Sequence, residues 1–193
     1  MLFNSMTFAV FLLAVFILYH IVPARFRWVF LLAASYAFYM NLHAAYGLLL
    51  LFSTALTYFL ALGLEKAPDH AKKNLCLLGG VLPLVGILLI FKLGAPVIDR
   101  LNAMIDAGRL ALHPLTLRIL LPAGVSFYFF QSMGYLIDVY KGKIRAERHF
   151  GYYALFVSFF PQLLAGPIGR ADTLLPQLKK ERLFDYEKVT YGL

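Results

Sequence analysis

Charge is missing from five long stretches of this chain: before Arg25, from Trp28 to Leu64, from Asn74 to Phe91, from Ile119 to Ile137 and from His149 to Gly169. About 20 helical residues cross ~30 Å of hydrocarbon, so an uncharged apolar run of roughly 18 or more is a candidate span. The composition agrees. Of 193 residues, 61% are hydrophobic and 15% charged, against roughly 45–50% and about 25% in soluble domains. The pattern predicts an all-α polytopic membrane protein, residues 1–193 forming one transmembrane unit.

Spans are expected near 6–22, 28–45, 46–64, 74–91 and 119–138. Pro23 closes the first, and a hairpin near Asn41–Gly47 divides the second from the third. The N-terminus has no basic region and an apolar run too long for a signal peptide, so the first span is expected to be retained. In LGAPVIDRLNAMIDAG, Pro96 suits a first helical turn, and Val97, Ile98, Leu101 and Ile105 share one face. A short interfacial helix at 96–107 is expected there. Cys76, the one cysteine, cannot form an intramolecular disulfide and reads as a small buried hydrophobe.

The formal charge of +8 suggests nucleic acid, but the basic residues lie in short connectors between apolar runs. There they set topology and meet anionic headgroups of the bilayer. With the N-terminus outside and every apolar run crossing, nine basic residues fall on each side. No orientation emerges. If 149–169 instead enters and returns, the basic tail at 170–193 joins the inside, giving fourteen against four (Lys92, Arg100, Arg109 and Arg118).

The residues of that stretch favour the return. Pro161 removes a backbone donor, so a straight helix should end or kink near Phe160. From His149 to Phe160 is only ~18 Å of helix. Gly166, Pro167 and Gly169 are turn chemistry, and irregular backbone at depth is tolerated where protein or a wet cavity surrounds it. A re-entrant, Pro/Gly-broken segment at 149–169 is expected.

On the fifth span, Gly124, Tyr128, Gln131, Ser132, Tyr135 and Asp138 fall on one stripe at ~100° per residue. Such a stripe faces protein or a water-filled cavity. Hydrogen bonding between helices is one interpretation, and a substrate path the other.

Several runs resemble the membrane-bound O-acyltransferase (MBOAT) family, in its bacterial branch of alginate O-acetylation and teichoic acid D-alanylation proteins. These are MLFNS at Met1–Ser5, SYAFY at Ser35–Tyr39, LLPAGVSFYFFQ at Leu120–Gln131, YLIDVYKG at Tyr135–Gly142, LFVSFFPQLLAGPIGR at Leu155–Arg170 and LLPQL at Leu174–Leu178. Val125 stands where the family has isoleucine. The resemblance covers nearly the whole chain, and these runs in the family's order carry it.

The resemblance implies transfer of an acyl group, acetyl above all, to hydroxyls of an exported or cell-surface polysaccharide such as alginate. The donor would be an acyl thioester, acetyl-CoA or an acyl carrier, with no bound cofactor and no metal. It implies a multi-pass protein of the bacterial cytoplasmic (inner) membrane, working with polysaccharide-acylation proteins outside it. Tyr128, Gln131, Tyr135, Asp138, Pro161, Gln162, Gly166, Pro167 and Arg170 would line or brace the donor-side funnel, with Arg170 a candidate for holding an anionic donor group.

Family members are generally more than twice this length, and their catalytic histidine lies in the half beyond this one. His20, His43, His70, His113 and His149 do not match its setting. The chain therefore reads as an N-terminal half with no catalytic residue of its own, inactive without the C-terminal half. A transporter or channel fragment is the alternative from another class, since broken helices and polar stripes also serve solute paths. A non-catalytic remnant is the third.

Overall fold

The computed structural model describes residues 6–41, 44–106, 124–163 and 169–180, and among them every regular element is helical. In chain order they are α1 (Met6–Ile21), a 3₁₀ turn (Ala24–Phe26), α2 (Arg27–Met40), α3 (Ala44–Lys66) and α4 (His70–Asp106). After these come α5 (Val125–Tyr140), α6 (Phe150–Ser158), the single turn α7 (Phe160–Leu163) and α8 (Ala171–Lys179). Ala44–Lys66 and His70–Gly94 are long and apolar enough to cross a membrane, and α1 is a shorter apolar helix.

The helix ends follow local chemistry. Pro23 separates α1 from α2, and Asn41 closes α2. At the end of α5, Gly142 takes φ +69°. Its N–H donates to the Val139 carbonyl at 3.0 Å, and the Lys143 N–H reaches back to the Asp138 carbonyl at 2.9 Å. This closure needs a left-handed residue, which glycine supplies without a Cβ clash.

Two expectations shift. The fourth span at 74–91 and the separate helix expected at 96–107 are one helix through Asp106, with Pro83 and Pro96 both inside it. A proline interrupts one helical hydrogen bond, yet neighbours and local adjustment let such helices continue. At ~1.5 Å per residue, its 37 residues reach ~55 Å, well past ~30 Å of hydrocarbon. The first residues of the expected fifth span, 119–123, lie outside the described residues, as does most of the basic tail.

Helices α3, α4 and α5 each pack against the other two. Gly80 of α4 sits against Leu136 of α5 and Leu60 of α3, where a Cβ would strike the Leu136 side chain. The largest buried side chains are Tyr39, Tyr128, Tyr135 and Tyr153, with Phe38, Phe129 and Phe156 among them. Most belong to α2, α5 and α6. The core is aromatic and lies around the short helix α6.

Candidate functional site

Helix α6 is nine residues long, about 13 Å, and starts at one end of the bundle. His149 caps it, Nδ1 accepting the Tyr152 N–H at 3.3 Å. The His149 ring stands edge-on to Trp28 at 4.9 Å. Trp28 also covers Gly151 so closely that a Cβ there would run into its ring. Seven residues further along α2, about 10 Å, Ser35 meets Phe160 just past the far end of α6. The two helices thus run side by side in the same direction, and α6 stops partway through the bundle.

At that stop, Phe159 leaves the helix with φ −55° and ψ 107°. The Gln162 and Leu163 amides then turn on the Phe159 carbonyl at 3.0 and 3.1 Å. The segment comes back beside α6. Gly169 lies under Gln162, whose Oε1 occupies the space a Cβ would take. At the other end of α8, Lys179 Nζ pairs with Glu147 Oε2 at 2.5 Å, just ahead of α6. The chain leaves Glu147 and returns to it, so α8 runs antiparallel to α6.

The starting end is stitched densely. Glu147 is 8% exposed, and its Oε1 accepts the His149 N–H at 3.0 Å. Its own N–H donates to Tyr135 Oη at 2.8 Å. Glu65, at the end of α3, accepts the Ala146 N–H at 2.7 Å, and Tyr58 Oη donates to the Arg148 carbonyl at 2.6 Å. Deeper in, Thr57 Oγ1 and Tyr153 Oη share a 2.7 Å hydrogen bond. The Tyr135 and Tyr153 rings pack at 4.6 Å.

The expected stripe on α5 turns out to face protein along most of its length. Tyr128, Gln131, Ser132 and Tyr135 are buried. Gln131 Nε2 donates to the Phe156 carbonyl of α6 at 2.8 Å, Tyr135 holds the Glu147 amide, and the Tyr128 hydroxyl lies 3.5 Å from that of Tyr39. Asp138, at the end of the stripe, pairs with Lys143 at 3.7 Å near the surface. Pro161 is exposed beside the break, and Gln162 is half-buried with Oε1 unpaired among the described residues. Arg170 is exposed and caps the start of α8 with extended backbone. Gly166 and Pro167 lie outside the described residues.

Structure therefore joins Gln131 and Tyr135 to the α6 segment and leaves Asp138 and Arg170 apart from them. Ser35, Thr57, Tyr58, Glu65, Glu147 and Tyr153 enter only through the fold. Glu147 had one signal, an acidic residue alone among Lys141, Lys143, Arg145 and Arg148. Among the described residues no group of three or more His, Cys, Asp and Glu could hold a metal. His20 Nδ1 lies 2.9 Å from the Phe16 carbonyl within its own helix, while His43 and His113 fall outside the described residues.

No family model matches the chain, and no solved structure does. Curated proteins do. One named "Probable alginate O-acetylase AlgI" from Azotobacter vinelandii is 38% identical over 92% of this chain and 36% of its own length. A protein of the same name from Pseudomonas putida is 37% identical over 100% of this chain and 40% of its own length. The "Peptidoglycan O-acetyltransferase" of Helicobacter pylori is 32% identical over 84% of this chain and 35% of its own length. The chain thus spans just over a third of the length of the curated relatives it matches. It is a membrane-protein homologue of these O-acetylating proteins, consistent with the membrane-bound O-acyltransferase family that its motifs resemble.

Proposed function

We propose that this chain is the N-terminal portion of a membrane-bound O-acyltransferase that moves an acetyl group from a thioester donor to hydroxyls of an exported or cell-surface polysaccharide. The observation that carries this function is similarity along almost the entire chain to proteins named for O-acetylation of two different sugar-containing polymers. Those names favour acyl transfer over a solute path. Acetyl-CoA or an acyl carrier supplies the acetyl group. The general base comes from the rest of the protein, and this chain alone is inactive.

The role of the described residues is to shape the donor side. The chain crosses the inner membrane about five times with its N-terminus outside, and 149–169 is re-entrant. The return of Lys179 to Glu147 supports that topology, as does the fourteen-to-four basic count. Gln131 and Tyr135 brace the hairpin from α5, and Tyr128 extends that wall. Pro161 and Gln162 shape its tip, and Gly166 and Pro167, outside the described residues, are proposed to act with them in the funnel. Arg170 opens α8, where the helix dipole adds partial positive charge, and holds the anionic part of the donor. Asp138 fixes the surface end of the stripe. Acylation proteins outside the membrane then deliver the group to polymer.

Two experiments test this. Membranes carrying the chain alone, and membranes carrying the whole reading frame around it, receive labelled acetyl thioester and alginate. Transfer is expected only with the longer frame; failure of both removes the proposed activity. For topology, single cysteines at Phe150 and Lys180 in a Cys76→Ser background meet an impermeant thiol reagent. Both should label from the same side, and labelling from opposite sides defeats the re-entrant segment. Phe150 serves better than Gly151, which has no room for a side chain beneath Trp28.

A further inference from the structure

Of the helical hydrogen bonds missing at the break in α6, the one between Phe156 and Phe160 has both of its ends supplied by side chains of other helices. In a continuous helix the Phe160 N–H would donate to the Phe156 carbonyl, four residues back. Here the Phe156 carbonyl accepts from Gln131 Nε2 of α5 at 2.8 Å. The Phe160 N–H donates to Ser35 Oγ of α2 at 3.2 Å. Donor meets orphaned acceptor, and acceptor meets orphaned donor. Ser35 is held for this purpose, its hydroxyl donating to the Leu31 carbonyl at 2.8 Å and so leaving lone pairs for the amide. Both side chains are buried, where an unpaired polar group costs ~1–3 kcal/mol.

Proline by itself does not explain the break. Pro83 and Pro96 both lie inside α4, which stays helical around each. Pro161 differs in having, one residue before it, a backbone amide captured by another helix. It removes the N–H that would have reached Val157, but the separation of Phe156 from Phe160 needs partners for both.

We propose that Gln131 and Ser35 are positioning residues that together hold α6 open at Phe159. In doing so they set the place of the Phe160–Leu163 turn and the returning leg α8. The clamp deepens the hairpin assignment above and rests on it for its functional meaning.

Spin labels at Phe150→Cys and Asp172→Cys, in the Cys76→Ser chain reconstituted in nanodiscs, report the distance between the start of α6 and the start of α8. The reference chain and Ser35→Thr, which keeps the hydroxyl, should share one narrow maximum. Ser35→Val has nearly the same shape as threonine without the hydroxyl. It and Gln131→Leu should move that maximum by about one helical turn, ~5 Å, or split it. Equal distributions for Ser35→Thr, Ser35→Val and Gln131→Leu overturn the clamp and leave Pro161 as the sole cause of the break. Should the valine and leucine variants not fold, Pro161→Ala decides. With both clamps intact it should keep the reference maximum, and a shift there also overturns the proposal. Thiol labelling from opposite sides would defeat the re-entrant topology alone, because the distance is measured independently of it.

Discussion

Helices α4 and α6 solve the same problem in opposite ways. Helix α4 is long, and Leu75, Leu82, Leu89, Ile90 and Leu93 are exposed along it. It is fixed near its start by Tyr140 Oη donating to Asn74 Oδ1 at 2.6 Å and further along by the close approach at Gly80. Helix α6 is short, broken and almost wholly buried, with polar side chains of α2, α3 and α5 holding its ends. Lipid tails are as apolar as leucine, so apolar contact alone gives a membrane helix little reason to prefer one position. Shape and hydrogen bonds supply that preference, and the molecule concentrates them on α6. Substitutions should therefore matter far more around α6 than along α4.

The largest effect is expected where α6 and α2 leave no space. Gly151→Leu forces Trp28 away from α6, and overpacking costs ~1–3 kcal/mol, with the upper end expected where a whole side chain meets a ring. Trp28 is the only tryptophan in the sequence, so its emission reports the displacement directly. A clear fall in melting temperature in detergent should accompany a shifted emission maximum. An unchanged spectrum and melting point would remove the close approach from the account of how α6 is placed.

Next comes the start of the hairpin, where the two partners of one ion pair should respond unequally. Glu147→Leu strips the acceptor from the His149 amide as well as the charge opposite Lys179, an expected loss of ~1–3 kcal/mol. Lys179→Met removes a side chain that is 45% exposed from a Glu147 that is 8% exposed, so its loss should exceed the ~0–1 kcal/mol of a fully exposed pair. It should stay below that of Glu147→Leu, because the carboxylate keeps the His149 N–H. Thermal unfolding of both variants checks the order. Equal losses would mean that Glu147 acts through the ion pair alone.

The contrast between the two helices was only partly legible in sequence. Pro161 foretold the end of α6, because a missing N–H is a property of one residue. The polar stripe on α5 was visible too, since 3.6-residue periodicity is local. Its partners were hidden. Nothing around Ser35 indicates that its hydroxyl meets an amide 125 residues later, and nothing near Thr57 points to Tyr153. Those pairings depend on which helices become neighbours, which one-dimensional patterns do not encode. Pro96 misled in the other direction. Gly94-Ala95-Pro96 has the local grammar of a stop and a new start, yet α4 continues through it.

A smaller effect isolates one stitch. Tyr153→Phe leaves the ring packed against Tyr135 and deletes only the hydroxyl that meets Thr57 at 2.7 Å. Thr57→Val deletes the other side of the same bond. Each should cost about 1 kcal/mol, and the double variant should cost less than their sum because the bond is lost once. Strict additivity in the melting data would show that the two hydroxyls act separately.

The smallest effect is expected on α4. Ile90 is 61% exposed within the structure, so Ile90→Ala opens no cavity and breaks no hydrogen bond. Exposed positions away from such features change stability within about ±0.5 kcal/mol, and that range applies if Ile90 faces lipid. The proposed C-terminal half supplies a second possible neighbour, and the two neighbours give different results. Against lipid, the alanine variant melts like the parent both alone and within the longer reading frame. Against protein, the variant melts like the parent alone but loses ~2–5 kcal/mol in the longer frame, the usual cost of truncating a buried isoleucine to alanine. One substitution, measured in two lengths of chain, thus tells whether the exposed apolar face of α4 ends at the bilayer or at the proposed C-terminal half.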